Sequence, residues 1–157
     1  ILPTGKYDDE KELNPGSNFF SFNPYWAGTA FITPKLTTSL RFHYLWNAVN
    51  DDPNRGFGDA EDTQAGQAIH ANMALGYEVI PKRLRVGANG YYLKQISDTK
   101  RNGDNVSGRK EEVFAIGPGL VYHHSQDQHF FANVFFETLA ENRTEGTRFT
   151  VRYVHHF

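Results

Sequence analysis

The sequence predicts an all-β fold: a transmembrane antiparallel up-and-down β-barrel of the bacterial outer-membrane type, with this chain covering about seven to eight strands of a larger barrel. Three observations lead there. Apolar and polar side chains alternate with period two along stretches rich in aromatic and β-branched residues, and helix-period stretches are hard to find. The alternating stretches reach about ten residues or more, against five or six in soluble sheets, and a tilted strand needs about 9–11 residues to cross a bilayer. The connections alternate between turns of a few residues and long polar segments, as in outer-membrane barrels.

Strands are expected at 18–32, 36–49, 66–80, 83–97, 109–124, 127–140 and 146–157, preceded by a stub, Ile1–Gly5, too short to cross a bilayer. Short turns fall at Thr33-Pro34-Lys35, Pro81-Lys82 and Ser125-Gln126. The long connections are Lys6–Ser17, Asn50–Ala65, Asp98–Gly108 and the shorter Glu141–Glu145. In 36–49, Leu36, Thr38, Leu40, Phe42, Tyr44, Trp46 and Ala48 share a face, opposite Thr37, Ser39, Arg41, His43, Leu45 and Asn47. In 66–80, Ile69, Ala71, Met73, Leu75, Tyr77 and Val79 stand against His70, Asn72, Ala74, Gly76 and Glu78. In 109–124, Phe114, Ile116, Pro118, Leu120 and Tyr122 oppose Ala115, Gly117, Gly119 and Val121. The last strand sets Phe149, Val151 and Tyr153, ending in Phe157, against Arg148, Thr150, Arg152 and His156. Each strand thus has one face that tolerates lipid and one that is polar or small.

Alternation alone does not say which face points outward, because a soluble ligand-binding barrel such as a lipocalin buries its apolar face. Aromatic placement favours the membrane. With the last strand ending on the short-turn side, Phe22, Trp46 and Phe149 fall near the long-loop end, and Phe31, Tyr77, Tyr122 and Phe157 near the other. Two aromatic belts around an aliphatic middle match the two interfaces of a bilayer.

Composition narrows the alternatives. With 157 residues, 39% hydrophobic, a mean hydropathy of −0.58 and a net charge of −2, neither an apolar helix bundle nor a polybasic nucleic-acid binder fits. The lack of cysteine excludes a disulfide framework, a thiolate metal site and cysteine catalysis. No apolar run approaches the roughly 18 residues of a transmembrane helix. No signal peptide is visible, and a start at Ile1 suggests processing or truncation upstream.

The last strand ends in Phe157 with apolar residues at alternating positions before it, which resembles the C-terminal signature of bacterial outer-membrane proteins; His155 stands where an apolar residue is more usual. A wider resemblance rests on Pro3-Thr4-Gly5-Lys6-Tyr7-Asp8, on Gly87-Ala88-Asn89-Gly90-Tyr91-Tyr92 with Gln95 and Asp98, and on Ala115-Ile116-Gly117-Pro118-Gly119. In order and spacing these segments resemble the outer-membrane channel family associated with the meta-pathway of phenol degradation. That resemblance implies the C-terminal part of a larger barrel that carries small hydrophobic or aromatic molecules into degrading bacteria. The strand count agrees, because single-chain bacterial barrels have even strand numbers and an open sheet leaves unpaired edge groups in lipid.

The expected lumen-lining residues are Arg41, His43, Asn47, His70, Asn72, Arg85, Asn89, Glu137, Arg148 and Arg152, with Glu78, Gln95 and Asn133 beside them. They form a polar, net basic lumen that selects solutes, or they pair with one another and stiffen the wall. An arginine ladder favours anions, at odds with a purely hydrophobic cargo. Pro24 and Pro118 remove ladder donors inside strands. Gly117, Pro118 and Gly119 are therefore either a break in the wall that opens a sideways path or a β-bulge that only bends it.

Other patterns point less far. His123, His124, His129, His155 and His156 gather at the short-turn rim as interface residues, without metal-ligand spacing. The loop acids Asp8, Asp9, Glu10, Glu12, Asp51, Asp52, Asp59, Glu61 and Asp62 read as solvated charge, with divalent ions at a lipopolysaccharide surface as the alternative. Gly56-Phe57-Gly58 precedes no helix and is no dinucleotide fingerprint. Asn105-Val106-Ser107 and Asn142-Arg143-Thr144 match a glycosylation sequon that matters only in a eukaryotic secretory context. Ser39 neighbours His43 on one face, but a barrel enzyme would also need an acid and a nucleophile elbow. The expected function is facilitated diffusion of small hydrophobic or aromatic molecules across the bacterial outer membrane, without catalysis, metal or cofactor. The expected partners are outer-membrane lipid, lipopolysaccharide and the solute, with no nucleic acid and a monomeric state.

Overall fold

The computed structural model describes residues 1–157, and strands make up nearly all of its regular structure. In chain order they are β1 (Ser21–Phe22), β2 (Tyr25–Phe31), β3 (Leu36–Asn47), β4 (Thr63–Gln64), β5 (Ala68–Ile80), β6 (Leu84–Gln95), β7 (Thr99–Arg101), β8 (Asp104–Val106), β9 (Glu112–His123), β10 (Gln128–Glu141) and β11 (Thr147–His155). A single 3-10 turn, Arg55–Phe57, is the one helical element, and no helix is long and apolar enough to cross a membrane. The main sheet has eight strands in the order β1-β3-β5-β6-β9-β10-β11, with β2 also on β3. Once the short loop strands are set aside, neighbours in this sheet are neighbours in sequence, as an up-and-down meander requires.

All seven expected strands are present, and the first is broken into β1 and β2 at Asn23-Pro24. Proline supplies no ladder donor, although its carbonyl still accepts from Tyr44 N at 3.1 Å. The three tight turns sit where the sequence places them. Leu36 N donates to Thr33 O, Arg83 N to Ile80 O, and His124 N to Gln128 O. At the second of these Lys82 takes φ 58°, a turn conformation. Ile1–Gly5 forms no strand, but Ile1 exchanges hydrogen bonds with Ser21: its ammonium donates to Ser21 O at 2.7 Å and Ser21 N donates to Ile1 O at 3.0 Å.

The chain divides into two compact units, to each of which β2, β3, β5 and β6 contribute a part. The first comprises residues 1–25, 43–69 and 94–111. Its buried side chains are largely polar: Ser21, His43, Asn47, Asn50 and Thr63. Asn47 ties three segments together. It accepts from Ser21 Oγ at 2.8 Å and donates to Gly66 O at 3.2 Å, while its carbonyl accepts from Gln64 Nε2 at 2.8 Å. Asn47→Ala leaves Ser21 Oγ and the Gly66 carbonyl unpartnered, at a cost of about 1–3 kcal/mol. The expected reading is a lower midpoint in denaturant titration, and an unchanged midpoint would show that water replaces the amide.

The segments read from sequence as unstructured loops carry a second, three-stranded sheet in the order β4-β7-β8. Its hairpin pairs Thr99 with Val106 and Arg101 with Asp104. The turn is Asn102-Gly103, with φ 52° and 79°. Positive φ at both central residues is the type I′ geometry that Asn-Gly favours in two-residue hairpins. The signal was in the sequence, but three-residue strands are too short to alternate visibly.

The second unit comprises residues 26–42, 70–93 and 112–157. Its register sorts side chains into rows. On one face β9, β10 and β11 align Tyr122–Phe130–Tyr153 and Leu120–Ala132–Val151, and Val134 stands opposite Phe149. On the other they align Val121–Phe131–Arg152 and Gly119–Asn133–Thr150, and Phe135 stands opposite Arg148. The apolar rows are exposed: Leu40 is 42% accessible, Phe42 43%, Leu75 45%, Leu120 40% and Val151 65%, and the arginines of the other face, Arg41, Arg148 and Arg152, are exposed as well. Buried apolar residues of the whole chain are few and mostly small: Ala68, Val113 and Ala115. A water-soluble barrel buries such rows; here they are left uncovered.

Pro118 does not make a bulge. The β9–β10 register runs from His123 to Gly119 and resumes unchanged at Ile116, leaving Gly117 and Pro118 without partners on β10. The register shift lies instead between Thr138 and Glu141, where Leu139 takes φ 54°. Proline interrupts the ladder because it lacks the donor, yet both strands keep step on either side.

Candidate functional site

The polar face of the second unit lines an open cavity of about 670 Å³. Six of the residues expected at a lumen line it together: Arg41, Asn72, Asn89, Asn133, Arg148 and Arg152. They converge because each occupies the inward phase of its strand, and period two fixes that phase once one residue is placed. Three arginines and no carboxylate line the cavity, so its wall carries net positive charge.

Asn89 Nδ2 donates to Asn133 Oδ1 at 2.6 Å, and Asn133 Nδ2 donates to Thr150 Oγ1 at 3.4 Å. This chain of amides and hydroxyl links β6, β10 and β11 at one level. It needs Gly119, where a Cβ would stand 2.0 Å from Asn89 Nδ2 and 2.5 Å from Asn133 Oδ1. Above and below this level the arginines lie on rings. Arg148 Cζ is 4.8 Å from the centroid of Tyr91 and 5.3 Å from that of Phe135, and Arg152 Cζ is 4.3 Å from that of Phe131. Stacking holds each guanidinium by cation–π attraction and leaves its N–H edge free to donate.

The remaining expected residues are placed otherwise. Arg85 lies in the same unit beside a smaller cavity of about 180 Å³ that Asn89 also lines. Its Nη2 donates to Thr37 Oγ1 at 3.3 Å, while its buried Nε has no partner. Glu137 does not line the large cavity; its carboxylate accepts from the Tyr91 hydroxyl and, at 3.0 Å, from Gly146 N. Glu78 and His70, both half-buried on β5, lie outside both cavities. His43, Asn47 and Gln95 belong to the first unit. His43 is buried there, with Nδ1 3.3 Å from Asn23 Oδ1 and its ring 5.2 Å from that of Tyr25. Gln95 donates to Ser97 O at 2.8 Å. The Ser39 hydroxyl is paired with Thr29 at 2.9 Å rather than with an imidazole.

Sequence reasoning missed the ring partners Tyr91, Phe131 and Phe135. The signal was the register of the β10–β11 hairpin, which sets Phe135 opposite Arg148 and Phe131 opposite Arg152. Which residues of β10 and β11 stand opposite one another depends on where the hairpin loop closes, and alternation does not mark that position.

The histidines pair without forming a ligand set. His123 and His129 meet through their Nδ1 atoms at 2.7 Å, and the ring of His156 lies 5.5 Å from that of His129. His155 stacks on Phe157 at 4.6 Å and His124 lies 6.2 Å from Tyr122. No three His, Asp or Glu residues are arranged to hold a metal ion. Among the loop acids, Asp8 is 2.6 Å from Lys11 Nζ, and this hydrogen bond holds its pKa below the ordinary carboxylate value. The contact is therefore complete above that ordinary value and is lost as pH falls through the lowered one.

A sequence model of the family described as "Putative MetA-pathway of phenol degradation" matches residues 1–153. No curated protein matches the chain. Among solved structures, the COG4313 outer membrane channel from Pseudomonas putida F1 superposes with a TM-score of 0.82 at 19% sequence identity. The match covers 98% of this chain and 56% of the channel's own, so the chain spans little more than half of that protein's length. At this identity the likeness establishes the fold, a strand arrangement of the outer-membrane channel type.

Proposed function

This chain belongs to the family of the MetA-pathway of phenol degradation, and we propose that it forms part of an outer-membrane β-barrel through which small hydrophobic or aromatic molecules diffuse. The observation that carries the reading is the two-sidedness of the second unit, with apolar rows exposed on one face and arginines and amides lining a cavity on the other. In lipid, unpaired edge groups cost several kcal/mol each, so the open edges at β1 and β2 and at β11 are completed by further strands of the whole protein. The polar loops receive the solute, the cavity filters it, and concentration difference alone drives it. The chemistry required is binding and release, not bond making.

The interrupted ladder at Gly117 and Pro118 supports a second exit, sideways through the wall. An apolar solute leaving that way avoids the water beyond the pore. The seam is closed at rest, since a Cβ at Gly117 would stand 2.0 Å from the Val134 carbonyl oxygen.

The test is reconstitution of the whole protein in liposomes, followed by swelling in a panel of neutral aromatic solutes. The expected result is extraction only in detergent and faster swelling than in empty vesicles. A protein that is monodisperse in plain buffer would instead support a soluble ligand-binding barrel, and uniform impermeability would refute the conduit.

A further inference from the structure

The arginines of the cavity and an apolar cargo are at odds unless the cargo carries both kinds of surface. Arg148 and Arg152 lie on the same face of β11, four residues and hence about 13 Å apart along the strand. Thr150 and its Asn133 partner stand between them. The partners of both guanidinium groups are rings, not carboxylates. Glu137, whose carboxylate reaches Tyr91, is engaged by that hydroxyl and by Gly146 N. Each arginine therefore keeps its donor edge for the cavity it lines. A planar fork of this kind matches a carboxylate bidentately. The adjoining wall is apolar, with Phe131, Phe135 and Val121 beside the cations, so a ring attached to the carboxylate has surface to lie against.

We infer that Arg148 and Arg152 form two successive binding stations for the carboxylate of a small aromatic acid, with its ring held against the aromatic side of the cavity. Two weak stations rather than one tight one let an anion enter and leave, as conduction requires. Arg41, on the same cavity wall, adds to the field that draws the anion in. This inference names a substrate class for the site of the conduit reading and rests on that reading for transport, though not for binding.

Benzoate and its neutral isostere benzamide separate the two. Binding is measured by calorimetric titration of the whole protein in detergent, and transport by uptake into liposomes. The expected result is preferential binding and uptake of benzoate, both falling about tenfold in Arg148→Gln/Arg152→Gln with benzamide unchanged. Folding of that variant is checked by heat-dependent gel mobility. The variant Arg148→Lys/Arg152→Lys, which keeps charge but not the fork, should keep chloride conductance and lose part of the benzoate preference. Equal binding of benzoate and benzamide overturns the inference and leaves the conduit standing. So does a parallel loss of chloride and benzoate uptake with benzoate binding intact, which would mark a general field alone. Benzoate binding that depends on the arginines, in vesicles impermeable to every solute, retains the site and refutes the conduit.

Discussion

Leu120→Arg is expected to prevent stable insertion of the barrel, while Val121→Arg, one residue along β9, is expected to leave it intact. Leu120 belongs to the row Leu120–Ala132–Val151, flanked on one side by Tyr122–Phe130–Tyr153 and on the other by Val134–Phe149. That row lies between the aromatic levels, where a charge on the lipid face costs about 2–4 kcal/mol. Val121 lines the cavity with the arginines, where an added guanidinium meets water. Folding into vesicles of short-chain lipid, followed by heat-dependent gel mobility, reads both variants. If Leu120→Arg inserts like the parent and Val121→Arg does not, the sidedness of the sheet in the membrane is the reverse of that proposed.

The second large effect is expected at Gly117. A Cβ there would stand 2.0 Å from the carbonyl oxygen and 2.8 Å from the carbonyl carbon of Val134. The obstacle is backbone, so no rotamer change relieves it and β10 must shift. Gly117→Ala should therefore destabilise by about 1–3 kcal/mol, the usual range for overpacking. Gly146 is the control, because a Cβ there meets nothing within 4 Å. Urea unfolding of the two variants should show a lowered midpoint for the first only. Coincident curves would mean that the seam at Pro118 is already loose enough to open.

Much of the fold was legible because the information is local. Period two in 36–49 and 109–124 fixed each strand and which of its residues share a face, and the turns at Pro34, Lys82 and Ser125 follow from residues that favour tight turns. The family resemblance carried by Gly87–Tyr92 and Ala115–Gly119 agrees with the match over residues 1–153. The small sheet β4-β7-β8 was not legible, since its strands of two or three residues make no pattern beyond Asn102-Gly103. At Pro118 a bulge and a clean gap predict the same sequence, and only the register tells them apart.

The candidate site divides in the same way. By itself the sequence determined that Arg41, Asn72, Asn89, Arg148 and Arg152 share a phase, because alternation along a strand is set residue by residue. It could not determine that His43 and Asn47, in that same phase, would be buried in hydrogen bonds of the first unit. Nor could it place Phe131 and Phe135 under the arginines. Those choices depend on which strand lies alongside and in what register, a matter of contacts between residues distant in sequence. The tertiary structure alone decided them. It decided the sidedness too, because a period-two pattern is identical whether its apolar rows close on a core or stand exposed to their surroundings.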